Sequence, residues 1–265
     1  MIDLHVHTSR CGHADGSVAK YAEAARDAGV SILGFSDHLP LPDGFPGGYA
    51  MSWPELPLYV DEVREVARRC AGRGGPEVLL GIEADWLPGH DLLIAGALRA
   101  HPFDYAMGSV HFLDGWAFDD PDQREGYDRW STDALWARYF EDMAAAAASG
   151  LFDVMAHPDL VKKFGERPDG DIGPLYEEAA AVFAECGVAI EVNTAGLRKP
   201  CAELYPARAL LEACHRRGVP ATIGSDAHRP ADVAFQLGAA REALRDAGYR
   251  SVLIWRGRVA EEVPV

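Results

Sequence analysis

Two histidines near the start of the chain have the spacing of metal ligands on a β-strand. His5 and His7 are two positions apart at the end of a predicted strand over positions 2–6. Alternation along a strand places both side chains on one face, where two imidazoles can share a metal ion. The pair alone is weak evidence for a metal site, because two histidines also occur at this spacing without a common function.

Further residues of metal-ligating types stand at or shortly after the ends of other predicted strands. They are His13, His38, Glu83, His111, His157, Asp226 and His228. Imidazole and carboxylate together suit zinc, iron or manganese, whereas calcium and magnesium favour a shell of oxygen atoms. A lone catalytic ion usually needs about three protein ligands. The sequence therefore predicts a site for two or three divalent transition metals.

The elements that must position these ligands are short apolar or β-branched runs that alternate with helical stretches. Seven such runs are predicted as strands, over positions 2–6, 31–35, 78–82, 105–110, 152–156, 188–192 and 220–223. This alternation is typical of a parallel β/α fold. In a β/α barrel the carboxyl ends of the strands converge on one mouth, so the ligands would meet there. A last apolar run, 251–255, is expected either to add an edge strand or to close the C-terminus.

Helix signals and long loops fill the intervals between these strands. Ser17 precedes an alanine-rich stretch that ends at Gly29, and Pro206 opens another that ends at Gly218. Three long segments rich in proline, glycine and aspartate follow strands, at 39–54, 113–130 and 159–174, and loops of that length are usually functional. The three remaining histidines fall in helical or connecting stretches, and we interpret them as ordinary structural or surface residues: His90, His101 and His215.

Length and composition favour one domain over residues 1–265. The chain is 48% hydrophobic, which is enough to build a full core at this size. Neither a transmembrane run nor a signal peptide is evident, so we expect a cytoplasmic protein. The five cysteines are odd in number and scattered, which predicts reduced thiols rather than a disulfide framework.

The charge balance argues against a nucleic-acid partner. Forty-one acidic residues against 25 basic ones give a formal charge of -16, which repels a polyanionic backbone. The excess acid also has the simpler explanation of solubility. We predict a small-molecule substrate with no nucleic-acid or membrane partner, and the sequence leaves the oligomeric state open.

The candidate ligands stand in motifs that resemble those of the polymerase and histidinol phosphatase (PHP) family over essentially the whole chain. The matching motifs are His5-Val6-His7 with His13, Asp37-His38, Gly81-Ile82-Glu83, Ser109-Val110-His111, Ala156-His157-Pro158, and Gly224-Ser225-Asp226-Ala227-His228. The resemblance implies a distorted (β/α)7 barrel with its metals at the carboxyl ends of the strands. It also implies three metal positions, held by His5, His7, Glu83 and Asp226, by Glu83, His111 and His157, and by His13, His38 and His228.

Longer stretches look like the histidinol-phosphate phosphatase branch of that family. They are 108–116, 157–164 and 191–199. This likeness implies hydrolysis of L-histidinol phosphate to L-histidinol and phosphate, a step of histidine biosynthesis. The shorter metal motifs also admit phosphoesterases of the same family that act on another small phosphate ester or a nucleotide. A different class, a non-catalytic metal-binding module, would be marked by missing ligands or an appended polymerase segment, neither of which the sequence contains.

A phosphate monoester would be hydrolysed by water that the metals activate. Bound divalent metals neutralise the phosphate dianion and lower the pKa of water, so a hydroxide bridging two metals is the expected nucleophile. Glu83 is the expected bridging carboxylate, and Asp226 completes the catalytic carboxylates. Arg198 is the candidate phosphate-binding cation, because it follows the strand without a metal ligand and a guanidinium can grip phosphate through two hydrogen bonds.

Other roles at the site are less determined by the sequence. Lys162 or Lys163 could serve as the phosphate-binding cation in place of Arg198. No general acid for the leaving group is evident, and Ser225 is an unsuitable nucleophile because the G-x-S-x-G turn is missing. Three aspartates of one loop are candidates for binding the ammonium or imidazole group of histidinol, with a solvated loop as the alternative: Asp119, Asp120 and Asp122.

Overall fold

Strands and helices alternate along the chain in this computed structural model, which describes residues 1–72 and 74–265. The strands are β1 (Ile2–Val6), β2 (Ile32–Phe35), β3 (Glu77–Asp85), β4 (Tyr105–Ser109), β5 (Phe112–Leu113), β6 (Trp116–Ala117), β7 (Val154–Met155), β8 (Ala189–Asn193), β9 (Ala221–Gly224), β10 (Ser251–Arg256) and β11 (Val259–Pro264). The helices are α1 (Val18–Asp27), α2 (Leu56–Ala71), α3 (Asp91–Ala100), α4 (Thr132–Ala148), α5 (Gly173–Cys186), α6 (Arg208–Arg216) and α7 (Leu237–Ala247).

Seven of the strands form one parallel sheet that closes into a barrel. Their order is β1-β2-β3-β4-β7-β8-β9. The two ends of the sheet meet beyond β9, where the N–H of His7 donates to the carbonyl of Ala227 at 3.0 Å and the N–H of Ala227 donates to the carbonyl of His5 at 3.3 Å. The predicted distorted (β/α)7 barrel is therefore confirmed, with helices around it.

The interior of the barrel is filled by large side chains where small ones leave room. The Tyr105 ring lies inside, and its hydroxyl donates to the Leu4 carbonyl at 2.6 Å. Gly81 provides the space, because a Cβ atom there would lie 2.2 Å from Cζ of Tyr105. Close packing of this kind makes the barrel a solid core rather than a channel.

Three elements differ from the sequence prediction. β7 is only Val154–Met155, two residues instead of five, and β3 is longer than predicted, at Glu77–Asp85. The predicted run 251–255 becomes β10, which pairs antiparallel with the unpredicted β11. This hairpin closes the amino end of the barrel, since Ile254 and Trp255 pack against its interior apolar residues.

Among the described residues, the helices are all too short or too polar to cross a bilayer. The five cysteines are free thiols. A single domain over residues 1–265 stays a prediction.

Candidate metal centre

All nine predicted ligands lie together at the carboxyl end of the barrel. The barrel delivers them from different strands and the loops that follow. Seven of them line a cavity of about 420 Å³, and His5 and His7 lie beneath it, against Glu83 and Asp226. Most of these side chains are almost fully buried, whereas His13 and His228 lie at the mouth. The structure brings the predicted set together, and their role as metal ligands is a proposal.

Glu83 is the centre of the inner part of the site. Its side chain is 1% exposed and its two oxygens face different histidines. Oε2 lies 3.1 Å from Nε2 of His5 and 3.5 Å from Nε2 of His7, while Oε1 lies 2.9 Å from Nε2 of His157 and 3.7 Å from Nε2 of His111. A carboxylate placed in this way can give one oxygen to each of two ions.

Asp226 flanks the same group from the other side. Its Oδ1 lies 3.2 Å from Nε2 of His7 and 3.9 Å from Nε2 of His5. Asp226 and His157 both have positive φ, at 52° and 28°. Aspartate and histidine are among the side chains that tolerate this left-handed backbone region, which aims both residues into the cavity.

A second group of histidines lies nearer the mouth. Nε2 of His13 and Nε2 of His228 are 3.0 Å apart. One nitrogen from each of His7, His38 and His228 also lies within 4.8 Å of the others. The ring centroids of the expected third metal position, His13 with His38 and His228, lie 4.8 to 6.4 Å apart, and His7 adjoins them.

The carboxylates and the histidines of the site influence each other's pKa. Burial by itself raises the pKa of Glu83, but His5, His38 and His111 outweigh it and hold that pKa well below its ordinary value. Burial and the neighbouring His7 lower the pKa of His228 to about 4. Burial also lowers the pKa of His7 and of His111, but nearby carboxylates outweigh it and raise these pKa values to about 9 and about 10. Metal binding at the inner histidines would therefore release protons.

Unsatisfied buried nitrogens provide a direct test of whether metals fit. Within the described parts of the chain, both ring nitrogens of His7 and Nδ1 of His38 are buried without a hydrogen-bond partner. Buried polar atoms without partners are costly, and a cluster of them at one point calls for a ligand. The donor set of imidazoles and carboxylates therefore fits divalent transition metals.

Cys11 lies beside the outer histidines without the character of a ligand. Its Sγ is within 4.8 Å of ligand nitrogens of His13 and His228. The thiol donates instead to the Thr8 carbonyl at 3.2 Å, and burial raises its pKa. A protonated thiol of this kind is inert, so Cys11 stabilises the turn that carries His13.

Three carboxylates lie beside ring nitrogens of the histidines, and the sequence analysis predicted this role for none of them. Asp85 Oδ1 accepts a hydrogen bond from Nδ1 of His111 at 2.9 Å, Asp37 Oδ1 lies 3.4 Å from Nδ1 of His7, and Glu191 Oε1 accepts from Nδ1 of His5 at 2.8 Å. A signal was present for Asp85, which stands two positions after Glu83 and so on the same face of β3.

The candidate phosphate-binding cations have different environments. Arg198 lines the cavity, and its Nη2 donates to the carbonyls of Ser225 and Asp226 at 2.9 and 3.1 Å. Its Nη1 is buried without a partner among the described residues. Lys163 also lines the cavity, whereas Lys162 is fully buried and donates to Asp159 at 2.7 Å. Lys162 is therefore unsuitable for the phosphate role that we considered for it.

The three candidate aspartates of the loop also have different environments. Asp119 and Asp120 line the cavity, and Asp122 is outside it on the exposed surface. Asp119 Oδ2 accepts from Nζ of Lys163 at 2.9 Å, and Asp120 accepts from the hydroxyl of Tyr49. Two of the three candidates thus face any molecule in the cavity.

Comparisons with known proteins agree on the kind of protein that carries such a site. The model of the PHP domain family matches residues 3–195. A protein of Deinococcus radiodurans named "Probable histidinol-phosphatase" is 43% identical over 253 residues, 95% of each chain. The histidinol-phosphatase of Bacillus subtilis is 27% identical and covers 88% of this chain and 95% of its own length.

A solved structure gives the same fold. Histidinol phosphate phosphatase from Lactococcus lactis, crystallised with zinc, L-histidinol and phosphate, superposes with a TM-score of 0.85. It is 20% identical, and the match covers 98% of both chains. At this identity the likeness shows the barrel and leaves individual residues to be compared by experiment.

Proposed function

Because the chain belongs to the PHP family, we propose that it is a metal-dependent phosphatase that hydrolyses L-histidinol phosphate to L-histidinol and phosphate. The observation that carries the proposal is the convergence of seven histidines, Glu83 and Asp226 on one cavity. The 43% identity to a histidinol-phosphatase over nearly the whole chain supports the choice of substrate. The same activity would belong to histidine biosynthesis, in the cytoplasm.

The proposed division into metal positions is the one that the resemblance to the PHP family implies. His5, His7, Glu83 and Asp226 would hold one ion, Glu83, His111 and His157 a second, and His13, His38 and His228 a third. Zinc, iron and manganese all suit these donors. When bound, such ions neutralise the phosphate dianion and supply a water activated for attack.

The protein's own residues bind and orient the ester. Arg198 has a guanidinium fixed by two backbone carbonyls at the lining of the cavity, where its charge would attract the phosphate group. A fixed cation of this kind needs little reorganisation as charge moves within the phosphate group. We assign the phosphate to the wall of the cavity that Arg198 shares with Asp226 and His228.

The remainder of the substrate would face another part of the lining. Asp119, Asp120, Tyr49 and Phe112 line the cavity there. Burial by itself raises the pKa of Asp119, but Lys163 and His111 outweigh it and lower the pKa to about 2. The carboxylate is therefore ionised at neutral pH and suits the ammonium group of histidinol.

A side-by-side substrate comparison tests the proposal. Protein with a single fixed metal composition is assayed for kcat/KM with histidinol phosphate, serine phosphate, nucleoside monophosphates and short single-stranded DNA. Histidinol phosphate should have the highest value, since contacts to the histidinol portion orient the ester for attack. Preference for a nucleotide or DNA would contradict the proposed substrate but leave the proposed metal chemistry standing. No hydrolysis of any phosphoester by fully metallated protein would favour a non-catalytic metal-binding module.

A further inference from the structure

A fully buried carboxylate on β8 joins three parts of the barrel. Glu191 is 0% exposed. Its Oε1 accepts a hydrogen bond from Nδ1 of His5 at 2.8 Å. Its Oε2 accepts from the backbone N–H of His157 at 2.9 Å and from the side-chain amide of Asn193 at 3.0 Å. One side chain therefore contacts β1, β8 and the segment after β7.

We propose that Glu191 is a positioning residue that fixes the tautomer and ring orientation of His5, and with them the metal affinity of the inner site. When metal is bound, the N–H at Nδ1 of His5 would donate to Glu191, which leaves the lone pair of Nε2 for the ion. Nε2 then faces Glu83 at 3.1 Å and Asp226 at 3.9 Å. The inference rests on the proposed function only in requiring that the site bind metal.

The same carboxylate also determines where His157 points. His157 has a φ of 28°, in the left-handed region, and its backbone N–H is satisfied by Glu191. Its Nε2 lies 2.9 Å from Oε1 of Glu83, the oxygen that faces away from His5. Glu191 thus fixes two ligands on opposite oxygens of the proposed bridging carboxylate. Hydrogen bonds to metal-ligating histidines commonly set ligand orientation and basicity in this way.

Gly224 on β9 provides the room for this contact. A Cβ atom at Gly224 would lie 2.0 Å from Oε1 of Glu191 and 2.4 Å from Cβ of His5. Any larger residue would therefore separate the carboxylate from the ring. Gly224→Ala offers a way to disturb the contact without changing a charge.

The test measures zinc affinity without substrate. Wild type, Glu191→Gln and Glu191→Asp are each titrated with zinc against a chelating indicator. Glutamine retains one acceptor oxygen, so its amide group opposes a donor at either His5 or His157. Removing such a partner should weaken zinc binding at the inner site about 10- to 100-fold. Aspartate retains the charge, but its shorter side chain lies farther from His5. The zinc affinity of Glu191→Asp should therefore lie between those of wild type and Glu191→Gln.

The control variant is Glu185→Gln on α5, an exposed position with the same change of charge. It should bind zinc like wild type. ¹⁵N NMR of the histidine rings of the zinc-loaded proteins should show a proton on Nδ1 of His5 in wild type and its loss or mixing in Glu191→Gln. If Glu191→Gln does not fold, Glu191→Asp and Gly224→Ala carry the test, and both should weaken zinc binding.

Two results would overturn the inference. One is wild-type zinc affinity in the folded variants. The other is a lowered unfolding temperature of the metal-free variants with unchanged zinc affinity, which would make Glu191 a structural residue alone. Zinc binding is measured without a phosphoester, so a wrong substrate assignment would not affect the role of Glu191. A wrong role for Glu191 would likewise leave the substrate assignment unaffected.

Discussion

His13 and His228 approach each other at the mouth of the cavity, with their Nε2 atoms 3.0 Å apart. Burial and the neighbouring His7 lower the pKa of both rings, so both are neutral at neutral pH. Two neutral imidazoles that face one point, with His38 nearby, are placed to share one ion. We propose that the outer histidines hold a metal position next to the one around Glu83, since Nδ1 of His38 lies 3.4 Å from Oε2 of Glu83.

The first prediction concerns the number of metals. Elemental analysis of protein prepared without chelator should find two or three metals per chain. His228→Ala should remove one of them, because it deletes a ligand of the outer position alone. His101→Ala, a histidine outside the cavity, is the control and should retain the full content. A fully active preparation with at most one metal per chain would contradict a multinuclear site.

The second prediction concerns stability after metal removal. Ions that bind only the folded chain stabilise it, by about 2.7 kcal/mol when free metal is at 100 times its dissociation constant. Dialysis against a chelator should therefore lower the midpoint of thermal unfolding, and added zinc or manganese should restore it. Calorimetry of both forms measures the shift. An identical midpoint in the two forms would show that the histidine cluster does not bind metal tightly.

The third prediction separates catalysis from folding at Glu83. Glu83→Gln preserves side-chain volume but removes the charge that faces His5 and His157. We expect kcat to fall by about 100-fold or more, as for loss of a major electrostatic group, while the unfolding midpoint of the metal-free protein changes little. Glu77→Gln at the exposed start of β3 is the matched control and should retain activity. Parallel losses of activity and of folded protein would make Glu83 mainly structural.

The strand-end ligands could be predicted because the sequence repeats one local rule. The same pattern, an apolar run followed by a histidine, occurs at His38, His111 and His157. A parallel sheet brings the carboxyl ends of its strands together. The supporting carboxylate Glu191 could not be found in this way. Its partner His5 is 186 positions away, and the contact exists only once the barrel closes.

Two strands show why local patterns gave only part of the fold. The predicted strand 152–156 forms ladder pairs only at Val154 and Met155, because the following His157 takes a positive φ and leaves the sheet direction. β11 is mostly exposed and contains Glu261 and Glu262, so it has no apolar signal. Its position is determined by pairing with β10 rather than by its own sequence.

The fourth prediction is that Arg198 binds the phosphate group. Arg198→Ala should raise the inhibition constant of inorganic phosphate by about 10-fold or more, the loss expected for a charge-assisted hydrogen bond of roughly 1.5–3 kcal/mol. Arg198→Lys should retain only part of the affinity for inorganic phosphate, since an ammonium lacks the planar fork of a guanidinium. Arg208→Ala on the exposed face of α6 is the control. Unchanged phosphate inhibition in folded Arg198→Ala would transfer the role to Lys163.

The fifth prediction compares two aspartates of the same loop. Asp119 lines the cavity with an ionised carboxylate, because its pKa is lowered to about 2, and Asp122 is exposed outside it. Asp119→Asn should reduce kcat/KM for histidinol phosphate about 10-fold, by weakening a charge-assisted contact to the substrate ammonium. Hydrolysis of phenyl phosphate, which has no ammonium group, should change less. Asp122→Asn should leave both substrates unaffected.

The comparison of the two substrates guards against an indirect effect through Lys163. Asp119 Oδ2 is 2.9 Å from Nζ of Lys163, so Asp119→Asn also removes the negative charge beside that ammonium, although the Asp119 carbonyl still accepts from it. The less neutralised cation would act on the phosphate group and change both substrates by the same factor. A selective loss for histidinol phosphate would therefore place the substrate ammonium at Asp119, and an equal change for the two esters would contradict that contact.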